Sequence, residues 1–327
     1  MPYQFHLLKV RTMNGVNVAF LRQLIRPAAE LPEADVCLVG LPLDFGTVLE
    51  GGRAGAAHAP DAIRRELRRY HKTYNIDWNI SLEHLRIADA GNVNLRQPDH
   101  VENHRRIREK LAQLCQQYPR VVVLGGSHDG TYSTVRGLYD ACGGQPVGGI
   151  NIDAHPDVKD RPDIGSGTPF GKLLREGFLA GEKFAEVGLH SNLTTGEDRE
   201  FLREQQVKVV RRGEIHRGQS GAYWIHQLLK EVAQESPAFV SFDIDSVASA
   251  YAPGVSAPSS AGITPQDAIL AAFAAGKFTS ILENPVRLFE VVELNPLYDR
   301  DNQTARLAAT VITAFITGVA ASLPQTK

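Results

Sequence analysis

Cysteine is scarce: the 327 residues hold three, Cys37, Cys115 and Cys142, with no C-x-x-C pair among them. That excludes a disulfide framework and a thiolate zinc site, and it fits a reducing compartment. The N-terminal MPYQFHLLKVRTMNG lacks the apolar segment of a signal peptide, and no apolar run approaches the roughly 18 residues of a membrane helix. Blocks of five or more like charges are missing, and 35 Lys+Arg against 37 Asp+Glu leave a formal charge of -2. The electrostatic footprint of a nucleic-acid or anionic-membrane binder is therefore absent. The expectation is a cytoplasmic protein that acts on a small molecule, with neither nucleic acid nor membrane as partner. Internal repeats, low-complexity tracts and Pro/Ser linkers are lacking too, and length alone allows one large domain or two.

What is present is an ordinary globular composition, 43% hydrophobic with 29 Gly and 18 Pro. Eight short apolar runs, at 35–43, 85–91, 120–126, 147–153, 184–189, 207–210, 238–245 and 288–295, read as buried strands, being rich in β-branched or aromatic residues and bounded by turn formers. Helix starts are legible at Pro60-Asp61, Thr131 and Thr264-Pro265, and a last helix lies near 307–323. Alternation of the two, with both faces of each strand apolar, implies the α/β class: a mainly parallel sheet covered by helices on both sides.

The residues that carry chemistry fall just past the C-terminal ends of these strands, where open parallel sheets bind ligands. Leu124 precedes Gly125-Gly126-Ser127-His128-Asp129, and Ile152 precedes Asp153-Ala154-His155-Pro156-Asp157. Val240 leads to Asp243-Ile244-Asp245, and Val292 to Glu293. In an extended strand end a spacing of two points Asp153, His155 and Asp157 to one side, and the same rule joins Asp243 to Asp245. Like charges delivered to one point by apolar strands are unfavourable unless a cation neutralises them. Four carboxylates, two imidazoles and no thiolate make a hard donor set that suits Mn²⁺, with Fe²⁺, Co²⁺ or Ni²⁺ also compatible and zinc less natural. Six ligands exceed the needs of one catalytic ion. Two ions about 3.5 Å apart, bridged by hydroxide, would use them and supply a nucleophile at neutral pH. Each segment alone has a plainer reading, as cap, surface acid or core histidine; the three together point to metal. Serine chemistry is unsupported, because G-x-S-x-G needs Gly where Asp129 stands, and neither G-x-G-x-x-G nor a P-loop occurs.

These motifs resemble those of the ureohydrolases, the arginase/agmatinase/formimidoylglutamase family of binuclear manganese enzymes, from Gly52-Arg53-Ala54-Gly55-Ala56 through Glu293-Leu294-Asn295-Pro296. The resemblance implies a three-layer α-β-α fold with an eight-stranded, mainly parallel sheet, a single domain over residues 1–327, and a homo-oligomer. It also implies two Mn²⁺ per subunit, with His128, Asp153, His155, Asp157, Asp243 and Asp245 as metal ligands. Within the family the chain looks most like formimidoylglutamase. Ser166-Gly167-Thr168-Pro169 stands where arginases and agmatinases carry an H-G-x-P segment, and Ala248-Ser249 follows where guanidine hydrolases have Asp-Pro. Ser127-His128-Asp129 and Ala59-Pro60 depart from the usual family patterns.

The reaction so implied is hydrolysis of a linear amidine, N-formimino-L-glutamate plus water to L-glutamate plus formamide, a step of histidine breakdown, by attack of a metal-bridging hydroxide. The implied catalytic residues are Asp157, which would carry the proton to the leaving amine, and Glu293, which would pair with the cationic amidinium; a buried structural Glu is the other reading. Substrate contacts are expected at Lys159, Ser166, Thr168, His190 and Asn192. Lys159 lies two residues after Asp157 and would bind a substrate carboxylate, less well than the Arg usual there; a solvated loop lysine is the plainer reading. His190, Ser191 and Asn192 follow the 184–189 strand, and residues such as Ser and Asn also simply make turns. Two rivals stay open: an agmatinase or guanidino-acid hydrolase that releases urea, and a catalytically silent homologue kept as an oligomer or regulatory subunit.

Overall fold

All eight apolar runs form strands in the computed structural model, which describes residues 19–324 except 70, 97–98, 218, 234 and 280–284. In chain order the strands are β1 (Ile25–Pro27), β2 (Val36–Gly40), β3 (Tyr74–Asn75), β4 (Ile80–Ser81), β5 (Ile87–Asn92), β6 (Val121–Leu124), β7 (Val147–Ile152), β8 (Leu179–Leu189), β9 (Lys208–Arg211), β10 (Ala238–Asp243) and β11 (Val286–Val292). β3 and β4 form a small antiparallel pair of their own. The rest make one parallel sheet of nine strands, ordered β1-β5-β2-β6-β11-β10-β7-β8-β9. The expected count of eight is thus one short. The extra strand, β1, has three residues and ends in Pro27; it is too brief to show a pattern, and a residue without an N–H is tolerated there because the strand is an edge.

Ten helices cover the sheet among the described residues: α1 (Phe45–Leu49), α2 (Ala59–Arg69), α3 (His100–Gln117), α4 (Gly130–Ala141), α5 (Pro169–Arg175), α6 (Gly196–Glu204), α7 (Arg212–Arg217), α8 (Gly221–Val232), α9 (Pro265–Lys277) and α10 (Gln303–Ser322). One core joins α2, α8, α9 and α10 to one sheet face, and a second joins α3, α4 and α5 to the other. Every residue of β2, β6, β7 and β10 is buried, as strands covered on both faces require. The start of α9 follows from its sequence: the Thr264 hydroxyl accepts from the Asp267 N–H, and the Asp267 carboxylate accepts from the Thr264 N–H.

One expectation about length needs correcting. α10 has 20 residues, and an 18-residue stretch of it has a mean hydropathy of 1.5, apolar enough to cross a membrane by length and composition, with 72% of that stretch buried inside the protein. Its apolar character belongs to a core helix that packs on α9 and α2, with Phe315 stacked on Phe289 of β11 at 4.3 Å.

What matters for the site is register. β6, β11, β10 and β7 are consecutive neighbours in the sheet. Leu124 pairs with Val291, Val292 with Asp243, and Phe242 with Ile152, so the four strands end level. At about 4.8 Å between strands, the four exits lie within roughly 14 Å of one another. Gly126 lets the loop after β6 turn tightly there: its φ is +120°, and a Cβ on it would sit 2.6 Å from the Leu41 carbonyl oxygen. The Gly126 carbonyl in turn accepts from the Glu293 N–H at 2.9 Å.

Candidate metal centre

Asp153 and Asp243 stand at the ends of β7 and β10, and both make the same local turn. Asp153 Oδ1 accepts from the His155 N–H at 2.8 Å, and Asp243 Oδ1 accepts from the Asp245 N–H at 2.8 Å. Such Asx turns are a preferred local conformation of Asp. Strand alternation, expected to bring these residues together, is not what does so. The backbone bends immediately after Ile152 and becomes a short 3-10 turn at Ile244–Ser246, while Asp157 takes a left-handed φ of +47°. The side chains meet because of turns at level strand ends.

All six expected ligands come together. His128 Nδ1 lies 2.9 Å from Asp157 Oδ2, 3.2 Å from Asp243 Oδ2 and 3.3 Å from Asp153 Oδ2. His155 Nδ1 lies 3.4 Å from Asp153 Oδ1 and 3.5 Å from Asp245 Oδ2. Two donor sets result, His128/Asp153/Asp243 and Asp153/His155/Asp245. Asp153 belongs to both, one oxygen toward each, which is how a carboxylate bridges adjacent cations.

Hydrogen bonding does not explain this arrangement. His128 is fully buried and its Nδ1 faces three carboxylates, yet it is aligned for a hydrogen bond with none of them; Asp245 Oδ1 is likewise buried and unpaired. Donor atoms at polyhedron edges of about 3.0–3.4 Å, around metal–ligand bonds of about 2.1 Å, give just such spacings. The residues present therefore fit a two-cation centre. The other nitrogen of His128, Nε2, lies 3.1 Å from Ser241 Oγ, a contact of the kind that orients a ligating imidazole, and the Phe170 ring meets the imidazole edge-on at 5.3 Å.

Charge tells the same story. Burial opposes a charge on either histidine, but Asp153, Asp157 and Asp243 hold His128 well above the ordinary imidazole range, and Asp153 with Asp245 pushes His155 up to about 12. Burial and neighbouring carboxylates also raise Asp243 and Asp157, and burial takes Asp245 up to about 6. Asp153 goes the other way, the two histidines outweighing its burial. Cations must displace the imidazole protons to bind. Loading metal-free protein with Mn²⁺ at pH 7 is expected to release protons and to weaken as pH falls; a weakly buffered pH-stat titration reads this, and uptake without proton release would contradict it.

Glu293 sits at the same edge, with a left-handed φ of +62°. Its Oε1 accepts from the His128 N–H at 2.7 Å and from the Thr47 hydroxyl at 2.9 Å, leaving Oε2 without a hydrogen-bond partner among the described residues. Burial pushes its carboxyl up to about 8. Thr47, on the five-residue α1, carries no sequence signal and was missed. So was the layer beneath the ligands, where the Asn151 amide donates to Glu186 Oε2 at 2.9 Å and burial, then the charge of Asp153, raises the Glu186 pKa well above the usual carboxylate range.

The expected substrate contacts are placed less uniformly. Lys159 Nζ forms an ion pair with Glu50 Oε2 at 2.6 Å. The Ser166 N–H donates to the Gly46 carbonyl at 3.3 Å. Thr168 is fully buried, and its hydroxyl closes a turn with Gly165. His190 follows β8, with Nδ1 2.9 Å from the Ser259 hydroxyl, while Ser191 and Asn192 are exposed in the loop beyond. Ser127, buried, donates its hydroxyl to Asp129.

A family model described as "Arginase family" matches residues 34–318. The chain is 31% identical to a formimidoylglutamase of Rhodococcus jostii, over 94% of each chain, and 31% identical to the mitochondrial agmatinase of Gallus gallus, over 90% of this chain and 83% of that one. Its fold is similar to that of Trypanosoma cruzi formiminoglutamase with Mn²⁺, at a TM-score of 0.81 and 30% identity, covering 88% of this chain and 94% of the other. A match across most of the chain, onto which six converging histidine and aspartate side chains map, shows that this protein belongs to the arginase family.

Proposed function

We propose that the protein is a binuclear manganese hydrolase of a linear amidine, converting N-formimino-L-glutamate and water to L-glutamate and formamide. The observation that carries this reading is the convergence of His128, Asp153, His155, Asp157, Asp243 and Asp245, with Glu293 beside them. These six residues would hold two Mn²⁺, which when bound supply a hydroxide nucleophile at neutral pH. The chain's own residues do the rest. Glu293 Oε2, free of other partners, pairs with the amidinium and orients its carbon toward the cluster. Asp157, in contact with His128 and partly exposed, takes the proton that the attacking water gives up and passes it to the leaving amine, which departs as the amino group of glutamate as formamide forms. Lys159 faces a substrate carboxylate, and Ser166, Thr168, His190 and Asn192 belong to the segments that shape the rest of the pocket. The same reading treats residues 1–327 as one domain and the enzyme as a cytoplasmic homo-oligomer, with neither nucleic acid nor membrane as partner.

A second reading has a specific observation behind it. Lys159 is already neutralised by Glu50, so a dicarboxylic substrate must share that ammonium, whereas agmatine or a guanidino acid makes smaller demands on it. Ser166, where the guanidine hydrolases resembled here carry His, supports the formimino branch. Mn²⁺-loaded protein given formiminoglutamate, agmatine, arginine and 4-guanidinobutyrate, with formamide and urea measured separately, decides between them. Formamide release is expected to dominate; faster urea release from any guanidine would reverse the assignment.

A further inference from the structure

We propose that His100, His104 and Asp129 form a third metal site, separate from the binuclear centre and suited to an ion of the Zn²⁺ class. α3 supplies His100 and His104 at i and i+4, neighbours on one helix face, the spacing by which a single helix offers two imidazoles to one ion. Asp129 comes from the residue before α4. It adjoins His128 in sequence, but its carboxylate meets His104 rather than the ligand cluster.

Two of the three edges match a coordination shell. His104 Nε2 lies 3.3 Å from Asp129 Oδ2 and 3.3 Å from His100 Nε2, and the candidate donor atoms of the three residues all fall within 4.8 Å of one another. For bonds of about 2.0–2.1 Å, the edge of a tetrahedron is about 3.4 Å. Asp129 is fully buried; its Oδ1 accepts from Ser127, and its Oδ2 has no hydrogen-bond partner. A buried carboxylate oxygen that faces an imidazole at 3.3 Å without a hydrogen bond is a place for a cation. His104 is 4% exposed, and its Nδ1 lies 2.8 Å from the Ser133 hydroxyl. If Nδ1 carries the proton and donates it to Ser133, the Nε2 lone pair points at the site. His100 packs against Phe45 at 4.6 Å, and its Nε2 lies 2.7 Å from the Ile164 carbonyl, a hydrogen bond that ligation exchanges for the ion.

The chemistry of the two centres differs. Two imidazoles and one carboxylate are the ligands of open zinc sites, whereas the four-carboxylate centre favours a harder ion. Protein holding two Mn²⁺ per chain, given one equivalent of Zn²⁺ and then dialysed, is expected to retain one zinc in addition to its manganese by elemental analysis. His100→Ala and His104→Gln should each lose that zinc and keep both manganese ions. Co²⁺ in place of Zn²⁺ should give the intense visible absorption of a tetrahedral site in the wild type and not in the variants. An Asp243→Ala chain should still bind the zinc, which separates failure of this site from failure of the binuclear centre. Zinc that only replaces manganese in the wild type, or a third equivalent that survives both histidine substitutions, would overturn the proposal.

Discussion

Asp243→Ala is expected to remove metal retention and turnover together. The carboxylate stands 3.2 Å from His128 Nδ1 through one oxygen, and through the other it holds the turn that aims Asp245. One substitution therefore takes away a donor and misplaces a second. Bound metal supplies several kcal/mol of transition-state stabilisation, so the loss in kcat/KM should be ~10³-fold or more at about 1.4 kcal/mol per decade. Stability should move differently. Without cations the wild-type cluster confines four carboxylates at one point, and removing one relieves that repulsion. The metal-free variant should consequently unfold at a temperature no lower than metal-free wild type, while its manganese content, measured after dialysis, falls. Full activity in this variant would remove the metal hypothesis altogether.

Glu293→Gln should separate catalysis from metal binding. Glutamine keeps the shape and an acceptor for the Thr47 hydroxyl and the His128 N–H, so manganese content should stay at the wild-type level. What disappears is the negative charge opposite a cationic amidinium in a buried pocket, an electrostatic contribution whose removal typically lowers kcat by ~10²–10³-fold. A parallel fall in manganese content would instead make Glu293 a structural support for the His128 loop.

Much of this was legible in the residues. The buried strands were readable because each is a run of apolar residues with a marked end, and the clustered histidines and aspartates were readable because they follow those ends. Sheet order was not: nothing in the spacing of 124, 152, 243 and 292 says that β6, β11, β10 and β7 are neighbours, a fact fixed by which crossovers pack on which face. The turns at Asp153 and Asp243 also escaped, since a D-x-D or D-x-H triplet is compatible with either an extended or an Asx conformation, and only the tertiary fold selects. α3 is a different kind of miss. Asp99 accepts from the Glu102 N–H at its start, and Ile107, Leu111, Leu114 and Cys115 recur at helical spacing on its buried side. The signal was present, and with it the pair His100 and His104. Thr47 and, just past the same helix, Glu50 could not have been found, because a five-residue helix carries no periodicity.

The level ending of four neighbouring strands has a consequence for how such a protein can change. The candidate metal-binding residues lie at the strand ends or in the short turns that follow them, held by the Asp153 and Asp243 turn hydrogen bonds, while Lys159, Ser166 and the 190–192 loop lie farther out. Insertions or substitutions in those loops can alter what enters the pocket without moving a metal ligand. Inheritance of the hydrolytic machinery is thereby uncoupled from the choice of amidine, and one scaffold can pass from a guanidino to a formimino substrate through changes confined to its rim.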